Sequence, residues 1–225
     1  MSKYELLFSN KDFLVINKLE ALSFHSEEGE GLVSLVKDDF PNVFPIHRLD
    51  KFTTGLLIFA KTKKIARVLS EKFEKKEIQK IYIALSNKKP KKKQGLIKGD
   101  MEKSRDGSYK LSLEKTNPAI TQFFSFALPS IEEGLRLFVL KPSTGKTHQL
   151  RVALKSLGSP IIGDERYKGS KNDLMYLHAY QLSFILKGEE FQFKAKLPSS
   201  VLYSKLEISS EFFEKDFFNL SWPKL

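Results

Sequence analysis

Two strand-like apolar runs, residues 5–8 and 13–16, flank Asn10-Lys11-Asp12, a turn composition that predicts a hairpin at the start of the chain. Pairing of this kind recurs. Residues 119–128 and 135–141 flank a Pro129–Gly134 turn, and 177–186 and 190–196 flank Lys187-Gly188-Glu189. Single strands are predicted at 56–60, which is apolar enough to be buried, and at 79–86. Helices are fewer. Residues 31–39 form a short one, ended by Pro41. Residues 62–76 place Ile65, Leu69 and Phe73 on one face behind a Thr62 N-cap. Residues 147–157 gather Leu150, Ala153, Leu154 and Leu157 on one face and His148, Arg151 and Lys155 on another, with Gly158 as the C-cap.

Hairpins in this order, rather than regular strand–helix–strand alternation, predict an α+β fold with a mixed, largely antiparallel sheet flanked by helices and loops. With no internal repeat and no long linker, a single domain over residues 1–225 is expected. Residues 205–225 then form a C-terminal extension, whose Phe residues and Trp222 should pack onto the body or a partner.

Composition narrows the function. The chain has no Cys, which removes disulfides, thiolate metal sites and thiol catalysis. Its four His (His25, His47, His148 and His178) show no i, i+4 pair, so no metal is expected. There is no uncharged run of about 18 residues to span a membrane and no signal-peptide pattern, so the expected location is the cytoplasm. The net charge is +11. Residues 61–93 contain thirteen basic and three acidic residues, so they hold nearly all of that excess. Such a stretch is either a solvated lysine face or a surface for a polyanion such as RNA.

Two motifs invite a chemical reading. Ser143-Thr144-Gly145-Lys146-Thr147 resembles the end of a phosphate-binding loop, but the glycine required five residues before Gly145 is Leu140, so no nucleotide cofactor is expected. His47-Arg48-Leu49-Asp50 abuts Thr53-Thr54-Gly55 and an apolar strand, a loop anchored on rigid structure where a reactive group is well placed. By itself such an Asp is more often a turn former.

HRLDKFTTGLLIFAKT, from His47 to Thr62, resembles the signature HRLDxxTSGLLLxAK of the RluA-type family of RNA pseudouridine synthases. Four further segments match in the family's order: VINK (15–18), KIYIA (80–84), TGKTHQLRVALKSLGSPIIGDERY (144–167) and LHA (177–179). Together they cover about residues 5 to 200. The chain departs from the pattern at Lys18-Leu19-Glu20-Ala21, where Lys-Pro-x-Gly is usual. It departs again at Thr54 for Ser, Lys146 for Arg and Ala153 for His.

The resemblance implies an isomerase that needs no cofactor, acts on a uridine in structured rRNA or tRNA, and consists of the catalytic domain alone without an S4 domain. A monomer is expected. By the same resemblance Asp50 is the catalytic carboxylate, Arg151 holds its charge and Tyr82 stacks on the base. Arg48 occupies the place of the flipped uridine, and His47, Lys18, Lys146 and His148 contact the RNA. Two other readings stay open here. One is a non-catalytic RNA-binding or folding factor on the same scaffold. The other is a glycosidase or nucleosidase, with Asp164 or Glu165 as the second carboxylate.

Overall fold

The computed structural model describes residues 3–25, 31–209 and 216–225. The chain packs as two compact units, Met1–Lys80 with His178–Pro198 and Ile81–Leu177 with Ser199–Leu225.

In the first unit, β1 (Tyr4–Ser9) and β2 (Phe13–Lys18) form the predicted hairpin. Its turn is locked by Asn10, whose side-chain oxygen accepts from the amides of Asp12 and Phe13, both at 2.9 Å. After α1 (Leu32–Asp39) and the two-residue β3 (Phe44–Pro45) comes β4 (Thr54–Ala60), buried along its whole length. One edge of β4 pairs antiparallel with β2. Its other edge takes β3 at Phe59–Ala60 and, in parallel, the start of β11 (Leu177–Leu186) at Thr54–Gly55. A strand flanked by strands on both edges and covered on both faces has to be apolar throughout, and Leu56–Ala60 is.

α2 (Lys63–Glu74) starts where Thr62 caps it, the hydroxyl accepting from the Ile65 amide at 3.2 Å. It sets Ile65 and Leu69 into a core shared with Phe13, Val15, Leu56, Ile58 and Leu182. β12 (Glu189–Lys194) returns along β11 through Lys187 and Gly188, both at positive φ as a two-residue hairpin turn requires. It adds Phe191 to that core, edge-on to Phe13 at 5.0 Å.

The second unit is an antiparallel sheet in the order β5 (Gln79–Ser86), β10 (Arg136–Pro142), β9 (Ala119–Ala127), β6 (Gln94–Gly99), where β5 enters from the first unit through Gln79 and Lys80. A separate two-stranded ribbon, β7 (Met101–Lys103) with β8 (Tyr109–Leu111), packs by α3 (Gln149–Ser156). The predicted 147–157 helix is shorter at both ends. Gly158, at φ +79°, closes it in a Schellman arrangement, its amide reaching the Lys155 carbonyl while Ser159 reaches that of Leu154.

β6, β7 and β8, whose runs are short and mostly polar, and α4 (Val201–Ser209) are not among the predicted elements. Of the C-terminal extension, 210–215 lie outside the described residues. Its end packs onto the body as expected: Phe217 is buried, and Trp222 meets Phe124 edge-on at 5.1 Å. The fold is α+β, with a mixed and mostly antiparallel sheet content.

Candidate active site

The His47–Asp50 segment is irregular backbone, yet it is tied down at both ends. At its start, the His47 Nε2 accepts the Ile58 amide at 3.2 Å, continuing the β3–β4 pairing with a side chain in place of a strand. The ring lies 4.6 Å from that of Phe73 on α2, and the Lys80 Nζ lies 5.3 Å from the centre of the same Phe73 ring. Burial, assisted by the Lys80 charge, pulls His47 down to about 3, so near neutrality it is an uncharged acceptor.

At the far end, the Thr53 amide returns to the Asp50 carbonyl at 3.0 Å and the Leu22 amide to the Lys51 carbonyl at 3.0 Å. Beneath this turn lies Lys18, at 1% exposure, its ammonium donating to the carbonyls of Asp50 at 3.0 Å and Lys51 at 2.7 Å. Burial lowers Lys18 to about 7, opposed by attraction to the Asp50 charge. The result is a loop whose main chain is held from below while Leu49 is buried, Asp50 is half-buried and Arg48 stands in solvent.

Thr54 and Gly55 join this loop to β11. The Thr54 hydroxyl lies 2.8 Å from Nδ1 of His178, which is fully buried and drawn down to about 3 by that burial. Gly55, at φ +110°, meets the β11 backbone so closely that a Cβ there would sit 2.3 Å from the Ala179 carbonyl oxygen. Sequence reading recognises Thr-Thr-Gly and Leu-His-Ala as separate matches. Their register shows them as one contact, His178 beside Thr54 and Ala179 beside Gly55.

The second unit holds the remaining candidates. On β5, Tyr82 is half-buried between the buried Ile81 and Ile83, and it pairs with Leu140 of β10. Arg151 on α3 is 5% exposed and closes a two-bond fork on Asp164, Nε to Oδ2 and Nη2 to Oδ1, each 2.8 Å. Its guanidinium also lies 4.9 Å from the centre of the Tyr167 ring. The Tyr167 hydroxyl accepts from the Tyr109 amide and contacts Nδ1 of His148 at 2.9 Å. His148 itself takes a left-handed conformation, φ 57°, ahead of α3. The loop before it is stitched by Gln149, whose side chain takes hydrogen bonds from the Thr144 hydroxyl and the Lys146 amide and donates to Ile120 and Thr121. The Lys146 ammonium is turned to the Asn117 carbonyl.

The structure thus gathers Lys18, His47, Arg48 and Asp50 in the first unit, and Tyr82, Lys146, His148 and Arg151 in the second. His47 turns its Nε2 to the protein's own backbone, and the residue is half-buried. Two expectations need correcting. Lys18 is not a surface group able to grip phosphate but a buried support of the Asp50 turn. His148 and Arg151 do not share a solvated helix face with Lys155: His148 precedes the helix, and Arg151 is buried. Asp164, considered above as a second carboxylate, is consumed by the Arg151 fork. The partnership of Arg151 with Asp164 escapes sequence reading because the two are 13 residues apart across the Gly158 turn. Among the described residues no group of three or more His, Asp and Glu could hold a metal, and no helix is long and apolar enough to cross a membrane.

The RNA pseudouridylate synthase family model matches residues 12–156. An uncharacterized RNA pseudouridine synthase of Haemophilus influenzae is 54% identical over 185 residues, covering 80% of this chain and 81% of that protein. The ribosomal large subunit pseudouridine synthase C of Rickettsia bellii is 34% identical, over 86% of this chain and 68% of its own. Among solved structures, human RNA pseudouridylate synthase domain containing 4 superposes with a TM-score of 0.72 at 28% identity, over 90% of this chain and 92% of that one. Motif order, fold and relatives agree, and the chain belongs to the RNA pseudouridylate synthase family, whose members are RNA-modifying enzymes.

Proposed function

We propose that this chain converts a uridine of structured RNA, rRNA or tRNA, to pseudouridine, with Asp50 as the catalytic carboxylate. The observation that carries this reading is the anchoring of the Asp50 turn. Lys18, Leu22 and Thr53 fix its main chain, so the half-buried carboxylate is presented on anchored backbone.

The reaction breaks the bond from ribose to a base nitrogen, turns the uracil, and joins it again through carbon, with loss of the proton from that carbon and gain of one at nitrogen. Nothing is oxidised or reduced. A carboxylate serves the step by attacking the sugar or by stabilising the positive charge that develops on it. Tyr82 stacks on the uracil and assists removal of the proton at the new bond. Arg151, kept in one orientation by Asp164, supports the anionic site. The target must first leave its stack, at a cost of a few kcal/mol, and the exposed Arg48 fills the place it vacates. Lys61–Lys80 in the first unit and Lys88–Lys93 in the second supply phosphate contacts. Lys146 and His148 add to those of the second unit. Such work on rRNA or tRNA belongs in the cytoplasm.

The test compares pseudouridine maps of total RNA from a deletion strain complemented with the wild-type chain or with Asp50→Asn. One or more sites should return with the wild type alone, while Asp50→Asn still binds RNA. Sites restored by both would remove Asp50 from the chemistry, and a map that neither alters would remove the activity.

A further inference from the structure

Among the described Phe, Tyr and Trp residues one side chain is exposed, and it stands two positions after Asp50. Phe52 leaves 47% of its surface to solvent, whereas every other described Phe, Tyr and Trp is buried or half-buried. A single exposed apolar residue is ordinary, but the setting of this one is not. The turn that carries it is closed by the Thr53 amide on the Asp50 carbonyl, and the preceding carbonyl, that of Lys51, takes hydrogen bonds from both Lys18 and Leu22. The ring is therefore displayed on fixed backbone rather than on a free tip. Its neighbour Lys51 holds an ammonium 5.8 Å from the ring centre, so an apolar face and a cation are presented side by side.

That pairing matches one kind of partner, an unpaired nucleotide, whose base offers a flat face and whose phosphate offers a negative charge. We infer that Phe52 is a stacking platform for a nucleobase flanking the target uridine, with Lys51 on the adjoining phosphate. The inference rests on Asp50 being the catalytic carboxylate. When the uridine leaves its stack and Arg48 takes its place, a flanking base that is itself unpaired finds an aromatic face next to the reacting site. Stacking of this kind tolerates any base but requires that the base be unpaired, so Phe52 selects loops and bulges over continuous duplex.

Phe52→Trp provides a reporter, since the chain contains a single native Trp, at 222. Its emission is compared with that of the wild type during titration with total RNA from the deletion strain, and with a fully paired RNA duplex. The total RNA should quench the variant well beyond the wild type, and the duplex should not. In pseudouridine formation on the same total RNA, Phe52→Leu should raise the apparent KM about tenfold to a hundredfold, with the loss falling on KM more than on kcat, while Phe52→Tyr restores it. Equal quenching by duplex, no additional quenching, or a wild-type KM for Phe52→Leu would each overturn the stacking role and leave Asp50 untouched. Failure of the Asp50 reading is seen separately, as an Asp50→Asn chain that still forms pseudouridine.

Discussion

Lys18 meets Asp50 through the main chain, its ammonium 3.0 Å from the Asp50 carbonyl oxygen, so a buried charge supports the turn that presents the carboxylate. This gives stability a pH dependence of definite sign. In the unfolded chain the lysine holds its proton to about 10.5, whereas burial in the fold brings it to about 7. Between those values the unfolded chain binds more protons, so this group makes stability rise with pH. The cost of the buried ammonium is complete below pH 7 and is relieved above it. Urea midpoints at pH 7 and pH 9 should therefore diverge, the wild type gaining on Lys18→Met by up to about 1.4 kcal/mol per pH unit. A constant difference between the two proteins would show that Lys18 keeps its proton across this range.

Gly55 makes the second prediction. Its φ of +110° and the 2.3 Å approach of an added Cβ to the Ala179 carbonyl leave no room for a side chain. The atom in the way is backbone of a paired strand, which cannot swing aside. Gly55→Ala should cost roughly 3 kcal/mol or more, read as a fall in the denaturation midpoint. Gly145→Ala, where an added Cβ meets nothing within 4 Å, is the matched control and should stay close to wild type.

What was legible in the sequence follows from the range over which each signal acts. The Thr62 cap, the Asn10 turn and the Gly158 terminus are local, and each was read from a few residues that carry their own geometry. The His47–Asp50 segment is legible as a motif, and Asp50 stands out in it as a candidate. Its supports do not. A lysine is exposed by default, and Lys18 becomes a buried donor only because β2 runs beside the turn, a contact 32 residues away in sequence. Arg151 on a helix likewise reads as a solvated charge until Asp164 is folded onto it. The β7–β8 ribbon left no periodic trace because strands of three residues are too short to show one.

The Arg151–Asp164 fork supplies a third prediction. Both side chains are almost wholly buried, at 6% and 1% exposure. Removing one partner strands the other charge without solvent, a loss of about 3–5 kcal/mol. Asp164→Leu and Arg151→Met should each destabilise by that order, and the double variant should cost less than the worse single change. Additive losses in this cycle would mean that the two groups are not coupled.

His47 gives the last prediction, which separates the role of its ring as an acceptor from any role as an acid. Its Nε2 takes the Ile58 amide, and with a pKa near 3 the ring is neutral throughout the range in which an RNA enzyme works. A neutral support contributes no ionisation to the rate, so His47 should add no limb to the activity profile between pH 5 and 9. His47→Gln can still place an acceptor near that amide, whereas His47→Leu leaves it without one, a penalty of roughly 1–3 kcal/mol. The Gln variant should accordingly unfold later than the Leu variant, and its pH–rate profile should keep the wild-type shape at whatever height it reaches. A limb near pH 6 that is present in the wild type and lost in His47→Gln would show instead that the ring exchanges a proton during turnover.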